Sequence, residues 1–386
     1  EKLDDLGWKI DAYQAKAINF ASDHAPRAVW AMEMGLGKTL CAFATYHKLR
    51  ERGDVKQMLV VAPVSAHGSW EEHAEKISNA RTVSLRGANV KKRRAAYEAV
   101  SRGEIDVLVV STDTIKQKDL SLEGLEDLTA LAEEAGGPEH LRSVRFIDPR
   151  NLASASVSVT AAGRIQALSE EEIEWRDGRW QRPPHDPREV PDLQEMKFVV
   201  DDPTSDKSIL AGITREHGES TLRCADEVHK FKNPKAKRSK GFWEVMTEPE
   251  GRVIGMSGTP KPNGIEDFYH VCNHVAPGEL GSWEEFAEQY TYRHLKKIPG
   301  GSSAWETGGV RPDAMGDLYQ NTARFLFSRT LDDPDTPEKA KRVDLAPRIE
   351  ESDFQVAVRK RFGHWCEIKA RIRAGIRGPR GERWPD

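Results

Sequence analysis

The sequence predicts an α/β fold: a parallel sheet with helices on both faces, carrying an inserted subdomain and a helical C-terminal extension. Two observations carry this prediction. Apolar strand-like runs alternate with helical spacing through the first 115 residues, and parallel strands require crossover connections, usually helical. The same rhythm resumes at TLRCAD (221–226) and VIGMS (253–257), after an interruption over 121–220.

The elements follow in order. Tyr13, Ala17, Phe20 and Ala21 recur at helical spacing, and RAVWAM at 27–32 reads as a strand. Leu40 to Leu49 reads as a helix and MLVVAP at 58–63 as a buried strand. A helix from Trp70, a short strand TVSL, a helix near 91–101 and the strand IDVLVVS at 105–111 complete the first part, 1–120. The insertion, 121–220, opens with an acidic helical stretch, LEGLEDLTALAEEAG. It continues with EIEWRDGRWQ, whose Asp-Gly suits a tight hairpin, and the loop-like PPHDPREVPD. Residues 221–275 return to the sheet. After 260 the pattern turns helical, with helices expected at 264–275, 282–291 and 313–328, and 276–350 reads as a helical segment and linker with a flexible loop at IPGGSSAWETGG. Residues 359–386 carry nine basic residues against three acidic ones, so 351–386 reads as a basic tail or brace helix.

Composition narrows the partners. Lys+Arg 58 against Asp+Glu 62 leaves a net charge of -4, which excludes nucleic-acid binding by bulk charge and leaves only local patches. The four cysteines lie far apart with no CxxC pair, so a reducing compartment fits and a Cys-rich zinc site does not. No apolar run approaches the ~18 residues that span a bilayer, so no membrane partner is expected. The first residues, acidic and without an initiating Met, do not resemble a signal peptide and fit a processed chain or a fragment.

Three motifs carry chemistry. Met34-Gly35-Leu36-Gly37-Lys38-Thr39 follows a strand and opens a helix, the context of a phosphate-binding P-loop. Its glycines let backbone N–H groups approach phosphate oxygens, and the helix N-terminus adds favourable partial charge. Lys38 would reach the β- and γ-phosphates of a nucleotide, and the Thr39 hydroxyl would sit on Mg²⁺. The full GxxxxGKT pattern needs a glycine at 32, where the chain has Met32. Next, Asp226 and Glu227 end an apolar strand in the box CADEVH (224–229). There Asp226 would hold Mg²⁺, and Glu227 would orient and deprotonate the attacking water. Finally, GMSGTP at 255–260 ends another strand, placing the Ser257 and Thr259 hydroxyls at the same sheet edge, within reach of the carboxylates through His229.

The set EMGLGKT, DEVH followed by FKN, and SGTP resembles the Swi/Snf-like branch of superfamily-two helicases, ATP-driven translocases on duplex DNA. The resemblance covers about 8–120 and 220–350 and implies a RecA-like first motor lobe. Tyr13-Gln14 is similar to the family's adenine-recognising glutamine motif, and Ala62-Pro63 with Trp70 to its second motif. Ser111-Thr112 falls where the family contacts the nucleic-acid backbone. Phe286, Tyr290 and Arg329 resemble the segment closing the first lobe, and Asp344-Leu345-Ala346-Pro347 the step before the linker. The helical segment looks nearest to the fork-remodelling, annealing-helicase subgroup. By this resemblance the chain acts in the cytoplasm, with the nucleoid, in a prokaryote or virus, or in the nucleus of a eukaryote.

The chain departs from the family at Met32, where an acid is usual, and in the 121–220 insertion. It also lacks the Arg-rich motif of a second lobe; RIRAGIRGPRG at 371–381 sits too near the linker to serve. The expected activity is therefore ATP binding with weak hydrolysis, restored by a second lobe in cis or in trans. A nucleic-acid-binding switch without efficient hydrolysis and an RNA-directed helicase are the competing readings. For DNA phosphates, the candidate contacts are Lys230, Lys232 and Lys235 with the neighbouring Lys237, Arg238 and Lys240, and a second cluster at Lys91, Lys92, Arg93 and Arg94. A solvated surface is the alternative for both. Trp70, Trp243, Trp283 and Phe286 are expected to serve packing, and Cys41 and Cys224 to be small buried hydrophobes.

Overall fold

The computed structural model describes residues 9–137, 141, 144–147, 154–156, 164–166, 172–181, 197–248, 250–259, 264–297 and 303–336. The expected linker step at 344–347 and the basic tail lie outside these residues, as does Pro260.

The frame is a seven-stranded sheet. In chain order its strands are β1 (Arg27–Met32), β2 (Gln57–Ala62), β3 (Thr82–Ser84), β4 (Val107–Ser111), β12 (Thr221–Asp226), β13 (Val253–Ser257) and β16 (Leu326–Arg329), with β5–β11 in the insertion and β14–β15 in a hairpin. Their spatial order is β16-β1-β13-β12-β2-β4-β3, and every pairing is parallel. Alternation along the strands explains burial on both faces. Trp30, Val60, Val109, Cys224 and Ile254 enter one core with Phe43, Tyr46 and Trp70. Their neighbours Val29, Leu59, Leu108, Ala225 and Val253 enter the other, with Phe231 and Phe242. The helices α1 (Ala12–Asn19), α2 (Lys38–Glu51), α3 (His67–Ile77) and α4 (Val90–Ser101) match their expected positions. The α/β fold with helices on both faces is therefore observed.

The expected insertion divides. Strands β5 (Asp119–Glu123), β6 (Arg145–Ile147), β7 (Ser154–Ser156) and β11 (Lys197–Asp201) form a four-stranded sheet, while β8 (Arg164–Gln166), β9 (Glu172–Arg176) and β10 (Arg179–Gln181) form a three-stranded one. Asp177 and Gly178 turn the β9–β10 hairpin with φ of 54° and 76°, the positive values that the Asp-Gly pair predicts. The acidic stretch begins as strand, and only Gly124–Glu134 is helical (α5). Helix α6 (Asp206–His217) buries Leu210 and Ala211 in the core of the main sheet. Lys207, fully buried at its start, pairs with Asp201 and, at 2.6 Å, with Glu244.

Two expectations in the C-terminal part are corrected. The helix expected over 313–328 spans only Met315–Thr322 (α10), and Leu326–Arg329 forms the sheet-edge strand β16. Leu326 faces one core and Phe327 the other, a strand alternation that the apolar run FLF does not distinguish from a helix turn. The loop expected at IPGGSSAWETGG is strand from Ser303 (β15, Ser303–Val310), paired antiparallel with β14 (Thr291–Lys297). After the short helix α7 (Lys237–Phe242), helices α8 (Ile265–Val275), α9 (Trp283–Tyr290) and α10 share a small core of Ile265, Tyr269, Phe286, Tyr290 and Leu318. Among the described residues, no helix is long and apolar enough to cross a membrane.

Candidate nucleotide site at the sheet edge

The C-terminal ends of β1, β12 and β13 lie side by side because these strands are adjacent in a parallel sheet. Each ends in one of the three motifs.

After β1 the chain turns through Glu33–Gly37 into α2. Gly35 (φ +89°) and Gly37 (φ +74°) adopt left-handed backbone, which L side chains rarely enter. Gly37 is also crowded: a Cβ there would lie 2.6 Å from Gln14 Nε2. Gly37 caps α2, no side chain caps that end, and the first turn holds no acid. The first-turn amides of a helix have no intrahelical acceptor, so this uncapped end suits an anion. Tyr13 Oη and Gln14 Nε2 both donate to Leu36 O at 3.3 Å, while Gln14 Oε1 accepts from Asp11 N at 3.0 Å. Gln14 is thus buried, its amide nitrogen on the phosphate loop and its amide oxygen on the N-cap of its own helix α1. Met34, by contrast, is 78% exposed at the tip of the loop.

Lys38 folds back over the loop, donating to Met32 O (3.0 Å) and Glu33 O (3.2 Å). Burial lowers its pKa, opposed by the nearby charges of Asp226 and Glu227, so the lysine and the acidic box share one environment. Thr39 follows on the first turn of α2.

At the end of β12, Asp226 is nine-tenths buried. Its Oδ1 accepts from Glu227 N (3.0 Å) and its Oδ2 from Trp70 Nε1 (3.2 Å). Glu227 stands in left-handed backbone (φ 55°, ψ 49°), unusual outside glycine, and this turns its side chain back toward His229. His229 Nδ1 lies 3.2 Å from Glu227 Oε2 and 2.9 Å from Ser257 Oγ. Ser257 is fully buried, its Oγ accepts from Thr259 N (3.0 Å), and Thr259 itself is exposed. A lysine, an imidazole, two carboxylates and an uncapped helix end therefore face one edge. That donor set suits a polyphosphate with a hard cation held by oxygens. Among the described residues no group of three His, Cys, Asp or Glu could hold a metal alone, so water, hydroxyl or phosphate oxygens would have to complete such a shell.

The expected nucleic-acid contacts separate. Ser111 Oγ pairs with Thr114 Oγ1 (2.9 Å), and Thr112 is buried with its N–H on Ala62 O (3.2 Å). Lys232 is held by Asp267 (2.8 Å), Lys237 by Asp119 (2.9 Å) and Arg238 by Asp113 (3.1 Å). Lys230 and Lys235 are exposed. In the second cluster Arg93 pairs with Asp206 (3.1 Å) and Arg94 donates to Thr204 O, while Lys91 and Lys92 are exposed.

The structure adds contacts for two residues of the site. Trp70, similar with Ala62-Pro63 to the family's second motif and also expected to pack, is buried and donates to Asp226. Glu33, whose Oε2 accepts from Leu331 N (2.5 Å), ties the phosphate loop to the turn after β16, and no local pattern points to that contact.

Comparison with known proteins supports the resemblance. Residues 198–351 match the SNF2-related domain and residues 8–135 the type III restriction enzyme res subunit. The chain is 21% identical over 326 residues to the DNA annealing helicase and endonuclease ZRANB3 of Bos taurus, covering 84% of this chain and 21% of that protein. It is 37% identical over 110 residues to the transcriptional regulator ATRX homolog of Caenorhabditis elegans, covering 26% of this chain and 8% of that one. The Sulfolobus solfataricus SWI2/SNF2 ATPase core in complex with dsDNA is a structural neighbour, with 17% identity and a TM-score of 0.44 over 85% of this chain and 47% of that chain. The chain thus spans only a small part of the length of these curated relatives.

Proposed function

Taking this chain as one that carries an SNF2-related helicase region, we propose that it is the first motor lobe of an ATP-driven translocase on duplex DNA. It binds and hydrolyses ATP with Mg²⁺ and needs a second RecA-like lobe for full activity. The observation that supports this reading is the meeting of the Lys38 loop, the Asp226–Glu227 pair and the His229–Ser257 contact at one sheet edge. The relatives' names add DNA as the substrate class.

The roles in this reading are those that the motifs suggest. Met34 to Gly37 and the first-turn amides of α2 cradle the phosphates. Lys38 exchanges its two carbonyl partners for phosphate oxygens. Thr39 and Asp226 would supply the protein oxygens for Mg²⁺, which when bound would neutralise charge on the phosphates. Glu227 aligns the attacking water and takes its proton. His229 reports the state of Glu227 to Ser257 and the next strand. Gln14 holds the loop in register from below.

A finger arginine is worth roughly 10³–10⁵ in turnover, or about 4–7 kcal/mol. Slow hydrolysis is therefore expected of this chain unless a second lobe supplies that arginine. Phosphate release with duplex DNA, for the chain and for Glu227→Gln, tests the reading. Weak, DNA-stimulated release that the variant abolishes is expected; release indifferent to Glu227 marks a switch instead. Competition among duplex DNA, single strands and RNA decides the substrate.

A further inference from the structure

We propose that Trp70 is the positioning residue for Asp226: its indole N–H holds one carboxylate oxygen so that the acid meets the cation in a single orientation. The proposal rests on the nucleotide-site reading above and deepens it.

Trp70 is fully buried, and its Nε1 donates to Asp226 Oδ2 at 3.2 Å. The other oxygen, Oδ1, takes the backbone N–H of Glu227 at 3.0 Å. The terminal torsion of an aspartate is soft, so an acid at a strand end turns freely unless donors fix it. Here each oxygen has one donor from a different element: the neighbouring residue on one side, helix α3 on the other. Each oxygen keeps further lone-pair capacity for a cation or its water.

Trp70 also reaches the phosphate loop's own helix. Its ring lies against Phe43 of α2, with centroids 5.6 Å apart and planes tilted by 49°. One side chain therefore spans the helix that opens with Lys38 and Thr39 and the strand that ends in Asp226. Burial alone does not produce such a bond in this fold. Trp30 is equally buried, and its Nε1 has no acceptor among the described residues. Outer partners that orient a metal-binding carboxylate typically govern 10–100-fold in metal affinity.

The test compares the full chain with Trp70→Phe, which keeps an aromatic ring and deletes the donor. Binding of a fluorescent ATP analogue is titrated with Mg²⁺ and again in EDTA. The expected result is a Mg²⁺-dependent gain in affinity that shrinks by about 10–100-fold, with metal-free affinity unchanged. A benzothienyl-alanine at position 70, which preserves the shape of indole without its N–H, gives the same measurement if the phenylalanine variant does not fold. Equal weakening with and without Mg²⁺ assigns Trp70 to packing and overturns this proposal alone, as does no change in either. Absence of Mg²⁺-dependent binding in the unaltered chain overturns the motor reading together with it.

Discussion

His229 Nδ1 stands 2.9 Å from Ser257 Oγ, joining the turn after β12 to the end of the adjacent strand β13. The same nitrogen lies 3.2 Å from Glu227 Oε2, so one imidazole faces both the acid that would act on water and the hydroxyl that anchors the Ser-Gly-Thr turn. Because Ser257 is fully buried, this link cannot be replaced by solvent without cost.

A double-mutant cycle on His229→Ala and Ser257→Ala measures the link. Each change is expected to lower DNA-stimulated phosphate release. The pair is expected to be no worse than the stronger single, giving a coupling of about 0.5–3 kcal/mol. Fully additive effects would show that the two residues act separately.

Glu227 holds a left-handed backbone at a cost of about 1–2 kcal/mol for a side-chain-bearing residue. Glu227→Gly should therefore keep or raise the melting temperature while abolishing turnover. Glu227→Gln should abolish turnover without relieving the strain. Loss of stability in the glycine variant would place the strain elsewhere.

Gly37→Ala puts a Cβ within 2.6 Å of Gln14 Nε2 at a backbone angle that alanine resists. The expected loss of stability is about 1–2 kcal/mol, with weaker nucleotide binding as the loop shifts. Denaturant titration with and without ATP checks both; an alanine variant of unchanged stability and affinity contradicts the crowding.

Asp106 links three segments. It accepts from Arg81 through N (2.8 Å), Nε (3.1 Å) and Nη2 (3.0 Å), and it pairs with Arg50 (3.2 Å). Burial works to raise its pKa, but the Arg81 bonds prevail and the net direction is downward from 3.8. A depressed carboxylate stabilises the fold above its unfolded pKa and loses that contribution as pH falls through the folded value. Asp106→Asn should therefore lower the melting temperature at pH 7, with the difference from the parent closing below about pH 4. A difference that persists at low pH would mean that lost packing, not charge, is the cause.

Lys230 and Lys235 are exposed, whereas Lys232 is tied to Asp267. If the first two meet DNA phosphates, Lys230→Ala with Lys235→Ala should reduce the slope of log affinity against log salt by about 2. Lys232→Ala should leave that slope nearly unchanged. A double variant whose slope equals that of the parent would assign the exposed lysines to solvent.

Much of this molecule was legible in sequence because its signals are local. Strand runs such as RAVWAM and MLVVAP are bounded by helical spacing, and Gly35, Gly37 and Lys38 form a contiguous loop whose backbone demands are met within a few residues. The Asp-Gly hairpin at 177–178 is of the same kind. What sequence left undecided depends on partners distant in the chain. Leu326–Arg329 is strand because β1 offers an open edge with Val29 opposite Leu326. The pairing of Lys232 with Asp267 subtracts a cation that composition counts as free. Trp70 is a hydrogen-bond donor to Asp226, 156 positions away, only because β2 and β12 are neighbours in the sheet. Periodicity and turn chemistry report what a residue does to its own backbone. Only the folded chain decides which polar groups, buried together away from water, must satisfy one another.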